Sequence, residues 1–129
     1  MGFRKLRAYS MGYNLAMDIY LASKKFPKSE TYALTDQVRR SSRSVCTNLA
    51  EAYRKRQYPK HFVSKLSDAD AENSETQVWI AFAMDCGYLS AELGNEILKR
   101  SGEIGRLLQF MIANPGKFGS YPLPTATAN

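Results

Sequence analysis

An all-α fold of four packed helices is what this sequence predicts, and three observations predict it. From Leu34 to Arg56 the apolar residues recur at helical spacing; three further segments carry apolar stripes of their own; and proline or glycine punctuates the boundaries. A chain of 129 residues is one domain, long enough to bury a core without metals or disulfides.

The first segment carries Phe3, Leu6, Tyr13, Met17 and Tyr20 at spacings compatible with a heptad, with Ser10 beside Tyr9 in the remaining seam position. It should stop at Phe26-Pro27, because the residue before a proline is pushed out of the helical region. Residues 24–34 then read as a long connection whose Lys24, Lys25 and Lys28 are solvated. In the second helix, of about six turns, Val38, Ser42, Val45, Leu49, Ala52 and Tyr53 share one arc, and Arg39, Arg40, Arg43 and Arg54 share the flank beside it. Thr35 is expected as its N-cap and Asp36 as an anion in the favourable first turn.

The third helix is expected from Pro59, a good first helical residue, to about Cys86, with Phe62, Leu66, Ala69, Asn73, Ile80 and Met84 or Ala83 as the inner stripe. Its last part, Val78 to Met84, is apolar on every face. One bundle core buries one stripe, so Val78, Trp79 and Phe82 are expected to form an oligomer interface. Gly87 should close this helix and Ser90 cap the fourth, whose seam is Leu93, Ile97, Ile104, Leu108 and Met111, with Gly94, Gly102 and Gly105 allowing close approach. Asn114-Pro115-Gly116 ends it, so residues 1–114 read as the bundle and residues 115–129 as a flexible tail without a further element.

The net charge of +6 is unevenly divided. Residues 1–65 hold 14 Lys or Arg against 4 Asp or Glu, and residues 66–129 hold 4 against 8. If helices two and three are antiparallel around a turn near Gln57, Arg43 comes level with Glu72 and Arg39 with Glu75, which would neutralise both arginines. Arg54, Lys55, Arg56 and Lys60 cluster around the turn with only Glu51 nearby, and a basic surface of this kind attracts phosphate backbones. The expected nucleic-acid contacts are therefore Arg40, Arg54, Lys55, Arg56 and Lys60, with Arg39 and Arg43 behind them. On the same register Cys46 and Cys86 lie about 27 Å apart along the bundle, too far for a disulfide. Two unpaired cysteines fit a reducing cytoplasm, and neither an apolar run near 18 residues nor a signal pattern stands at MGFRKLRAYS; a soluble cytoplasmic protein is expected.

Catalytic and metal chemistry find no support. A di-iron bundle needs Glu-x-x-His on two helices, whereas the one histidine, His61, has no glutamate three residues before it. No acid flanks His61 to orient it as a general base, and there is no P-loop and no Gly-x-Gly-x-x-Gly. No cofactor is expected. Asn48, Glu51, Asn73, Thr76 and Gln77 could form a buried polar network that fixes helix register.

The stretch FPKSETYALTDQVRRSSRSVCTNLAEAYRKR, together with the later AENSET, resembles the bacterial four-helix bundle proteins that include the 23S ribosomal RNA intervening-sequence proteins. The matching positions are Phe26-Pro27, Glu30, Tyr32, Leu34-Thr35, Gln37, Arg39 or Arg40, Ser44, Asn48, Ala50-Glu51 and Glu75-Thr76, and the resemblance covers roughly residues 3–113. The chain departs from it at Ala52, where the family usually has glycine, and at Ala71-Glu72, where it has Gly-Ser. The resemblance implies an antiparallel up-and-down bundle assembling as a homopentamer, with nucleic acid (RNA or DNA) as partner and no catalytic residues. The family also looks like the accessory proteins of diversity-generating retroelements, so the alternative partner is a protein such as a reverse transcriptase.

Overall fold

The computed structural model describes residues 2–122, and among them every regular element is helical. Four helices carry the fold: α1 (Arg7–Ser23), α2 (Leu34–Arg54), α3 (Pro59–Asp85) and α4 (Ala91–Ala113). Short 3-10 helices at Gly2–Lys5, Lys28–Glu30 and Pro115–Phe118 sit before α1, between α1 and α2, and after α4. Each long helix packs on its two neighbours, with α1 and α4 closing the square, so the architecture is an antiparallel up-and-down four-helix bundle. None of the helices is long and apolar enough to cross a membrane.

Three of the four buried stripes follow the predicted periodicity, except that Leu93, expected in the seam of α4, is exposed and Gly94 is buried beside it. Val38, Val45 and Leu49 of α2, Phe62, Leu66 and Ile80 of α3, and Ile97, Ile104 and Leu108 of α4 are all buried. The first helix is rotated from its expected face. Its buried residues are Ala8, Gly12, Leu15, Ala16, Ile19 and Ser23, whereas Tyr13 and Met17 are exposed and Tyr20 is half-buried. A tyrosine keeps its hydroxyl in water at little loss, while Ala8, Gly12 and Ala16 let the α1 backbone come close to α2, so the small-residue face wins the core.

The start of α2 also differs from expectation. Its N-cap is Ala33, and Thr35 lies inside the first turn, buried, with its Oγ1 unpartnered. Glu30 takes the capping role instead: its Oε1 accepts from the Leu34 amide at 3.3 Å. Its other oxygen accepts from the Tyr88 hydroxyl at 3.0 Å, and the Phe26 and Tyr88 rings lie 5.8 Å apart. The α1–α2 connection is thereby tied to the α3–α4 turn. The remaining boundaries follow the sequence signals: Pro59 opens α3, Gly87 adopts φ +79° after it, and the Ser90 hydroxyl accepts from the Leu93 amide at 3.1 Å.

Hydrogen bonds fix the register between helices. The Asn73 Nδ2 donates to the Ser101 carbonyl at 2.9 Å, the Ser101 hydroxyl donates to Asn73 Oδ1 at 2.8 Å, and Gln77 Nε2 donates to the same hydroxyl at 2.9 Å. Between α2 and α3 the Ser41 and Thr76 hydroxyls meet at 2.8 Å. Asn48 and Glu51 stand outside this network, contrary to expectation. Asn48 donates to the Ser44 carbonyl of its own helix and Glu51 pairs with Lys65 at the surface. Close approach of α3 and α4 is achieved at Gly94, where any side chain would collide with Met84, and at Gly105, where an added methyl would lie 3.4 Å from the Asn73 amide.

Beyond Asn114 the chain forms one further short element, where none was expected. Pro115–Phe118 turn as a 3-10 helix, and Ser120 is buried, its hydroxyl donating to the Arg56 carbonyl at 2.7 Å. Short hydrogen-bonded segments need no apolar periodicity, which is why the pattern did not reveal this one. The rest of the expected tail, residues 123–129, lies outside the described residues.

Candidate nucleic-acid interface

Helical geometry separates the α2 arginines into two groups. Level along the antiparallel pair is as expected, but adjacent residues point about 100° apart, and it is Arg40 that faces α3. Arg40 donates to both oxygens of Glu72 at 3.3 Å and to Glu75. These bonds, that to Glu72 foremost, raise its pKa above the ordinary arginine value. The expected pairs Arg43–Glu72 and Arg39–Glu75 are thus replaced by one arginine holding both carboxylates.

Arg39 and Arg43 turn instead toward α1. The Arg39 Nε donates to the Ser23 hydroxyl at 2.7 Å, and its guanidinium lies 4.8 Å from the centre of the Tyr20 ring. Arg43 lies 5.6 Å and the Lys24 ammonium 4.9 Å from the same ring. Three cations are therefore collected on one aromatic side chain, whose negative face partly offsets their mutual repulsion. Lys24 and Tyr20 were not among the expected site residues. Their i, i+4 spacing at the end of α1 was visible in the sequence, but their meeting with Arg39 and Arg43 depends on tertiary contact.

Around the α2–α3 turn, Arg54, Lys55 and Lys60 are exposed as expected. Arg56 is held. Its guanidinium stacks 3.6 Å from the Tyr53 ring centre, its Nε donates to the Tyr53 carbonyl at 2.9 Å, and its Nη1 donates to the Phe118 carbonyl at 3.4 Å. Glu51, the one acid near this turn in sequence, is engaged by Lys65 at 2.7 Å. Among the described residues no ion pair involves Lys24, Arg39, Arg43, Arg54, Lys55, Arg56 or Lys60. This half of the molecule therefore presents positive charge that the fold does not neutralise locally.

The end of α3 presents a different surface. Ile80 and Ala83 face the core, whereas Val78 and Phe82 are 51% and 54% exposed. Trp79 is half-buried, its indole N–H donating to Glu75 at 3.1 Å and its ring 6.0 Å from Phe82. A shallow cleft runs past Trp79 and Phe82 to Ala33, Leu34 and Cys86. Among the described residues no three His, Cys, Asp or Glu side chains gather where a metal could be held.

The fold has solved relatives. A protein of unknown function from the S23 ribosomal protein family of Bacteroides thetaiotaomicron VPI-5482 superposes with a TM-score of 0.76 at 25% identity, covering 88% of this chain and 99% of that one. No curated protein matches the chain. The family model described as 23S rRNA-intervening sequence protein matches residues 4–110, which takes in all of α1, α2 and α3 and nearly all of α4. The chain belongs to the 23S rRNA-intervening sequence protein family.

Proposed function

We propose that this protein is a non-enzymatic, self-associating bundle that binds RNA through its phosphates. One observation carries the reading: Lys24, Arg39 and Arg43 converge on Tyr20 with no carboxylate paired to any of them among the described residues. Like charges held that close cost free energy unless a polyanion neutralises them. Arg54, Lys55 and Lys60 extend the positive surface to the α2–α3 turn, while Arg40 and Arg56 serve mainly to hold α3 and the C-terminal segment. Self-association, as the pentamer of the family resemblance, would use Val78, Trp79 and Phe82 and repeat the basic face in each subunit. Repetition turns weak contacts into avid binding. A second reading, a scaffold that docks a protein such as a reverse transcriptase, draws on the same exposed Val78 and Phe82.

Binding of an RNA at increasing salt separates the two. Each neutralised phosphate contributes about 0.7 to the logarithmic salt slope on a single strand, so Arg39→Ser with Arg43→Ser should reduce the slope by roughly 1.4. Phe82→Glu should lower the particle mass by light scattering and weaken RNA binding with it. A salt-insensitive interaction, or one unchanged by the double substitution, refutes phosphate recognition by this face.

A further inference from the structure

We infer that the cleft at the start of α1, lined by Arg4, Tyr9, Ser10, Tyr13 and Asn14, is a subsite for an unpaired nucleobase, which makes single-stranded nucleic acid the ligand of the basic face. The inference rests on the reading of the α1–α2 face as a phosphate-binding surface and names the class of strand that it takes.

Tyr13 is 51% exposed, a large ring left open on a helix flank where the core has taken the small residues instead. Behind it the Tyr9 ring lies 6.1 Å away, inclined by 33°, and Phe3 packs edge-on against Tyr9 at 5.1 Å. The backing rings fix Tyr13 as one wall of a concave site, ready to stack on a flat partner at little entropic cost. Polar groups for a base edge stand beside it. The Ser10 hydroxyl donates to the Arg7 carbonyl at 3.3 Å, which leaves its lone pairs as acceptors. Asn14 is exposed and its side chain makes no hydrogen bond among the described residues, so its amide can both donate to and accept from a base. Arg4, exposed at the rim and 4.8 Å from the Phe3 ring, supplies a cation for the adjoining phosphate.

Charge and geometry join this cleft to the three-cation cluster. Tyr13, Met17 and Tyr20 follow one another at i, i+4 and i+7, so cleft and cluster lie on one side of α1 about 10 Å apart. The acidic residue of α1, Asp18, stands one turn beyond Asn14 and is engaged there by Arg100 at 2.7 Å. Asp36, exposed in the first turn of α2, forms no ion pair with Arg39 or Arg43. A basic track interleaved with exposed aromatic rings suits a strand whose bases are free to splay outward. A duplex keeps its base faces stacked inside and offers a tyrosine ring nothing to lie against.

The test compares a labelled oligo(U) of about 20 nucleotides with an RNA duplex of about the same length, measured by fluorescence anisotropy at fixed salt. Tyr13→Leu should weaken oligo(U) binding about tenfold, leave the duplex within about twofold, and leave the salt slope unchanged, because a stack is lost and no charge is. Tyr13→Phe, which keeps the ring, should bind as the parent does. Asn14→Ala should weaken oligo(U) severalfold and serves should Tyr13→Leu lose helicity by circular dichroism. If Tyr13→Leu and Asn14→Ala bind oligo(U) like the parent while Arg39→Ser with Arg43→Ser does not, the base subsite is refuted and phosphate recognition stands. Equal losses on strand and duplex also refute the subsite. If the parent binds neither RNA, phosphate recognition itself fails.

Discussion

Replacing Asn73 by alanine tests how far the buried polar contacts between α3 and α4 hold the bundle together. Asn73 is 2% exposed and Ser101 fully buried. The substitution removes the 2.9 Å bond to the Ser101 carbonyl and the 2.8 Å bond from the Ser101 hydroxyl, and it leaves that hydroxyl without its acceptor. At about 1 kcal/mol for each lost bond and a further 1 to 2 kcal/mol for a stranded buried donor, Asn73→Ala should cost about 3 kcal/mol. In a domain of this size that lowers Tm by roughly 10 °C. Ser101→Ala should cost slightly less, about 2 to 3 kcal/mol: the Asn73 Oδ1 loses its donor while buried, but the Asn73 amide keeps its bond to a backbone carbonyl and half-buried Gln77 can turn to water. The double variant decides the matter, since two residues bonded to each other cannot both be charged in full for the same bonds. Urea unfolding of all four proteins, at one protomer concentration so that assembly does not confound the comparison, should show the double variant about 1 kcal/mol better than the sum of the singles. Costs that add to within about 0.3 kcal/mol would mean that the two residues act independently and that register is set by apolar packing alone.

Two further outcomes follow from particular side chains. Arg40→Ala should lower stability more than Arg54→Ala, by at most about 1 kcal/mol because the Arg40 pairs with Glu72 and Glu75 are part-exposed; equal denaturation midpoints would remove that bridge from the account. Of the two free thiols, exposed Cys86 should react with a thiol reagent at pH 8 and buried Cys46 should not until the protein unfolds, since burial pushes the Cys46 thiol up to about 11. The folded pKa is raised, so this group's contribution to stability is full below about pH 9 and is lost as pH climbs through about 11, which an alkaline denaturation series of Cys46→Ala against the parent would register.

The parts of the fold legible in the sequence are those where a long apolar period speaks alone. The stripes of α2, α3 and α4 are such cases, and so are Pro59, Gly87 and Ser90 at their ends. In α1 two periods compete, one of tyrosines and one of small residues, and only close packing against α2 decides between them. The site divides the same way. That Arg54, Lys55 and Lys60 would be exposed beside a turn followed from their neighbours in the chain, whereas Arg56 was withdrawn by Phe118, which lies 62 positions later. The Arg39 and Arg43 side chains were assigned the right height on the bundle and the wrong direction, because level follows from turn position but azimuth shifts by about 100° with each residue. The end of α3 was legible because seven consecutive apolar residues exceed what one core can face, and Val78 and Phe82 are left outside it.

The contacts of Tyr53 and Arg56 bind together events at the two ends of the described chain. The Gly2–Lys5 turn packs on α2 beside the Tyr53 ring, the Arg56 guanidinium covers the face of that ring, and the Phe118 carbonyl and the Ser120 hydroxyl hold Arg56 from 62 and 64 positions further along the chain. Terminal segments ordinarily fray one at a time and at little cost. Here, peeling away residues 115–120 strips Arg56 of its bonds with the Phe118 carbonyl and the Ser120 hydroxyl and leaves only the Tyr53 carbonyl and ring to hold it. The two segments therefore meet through one Tyr53–Arg56 pair, and amide exchange at residues 2–6 is expected to speed up when the segment that deserts Arg56 is sixty positions away.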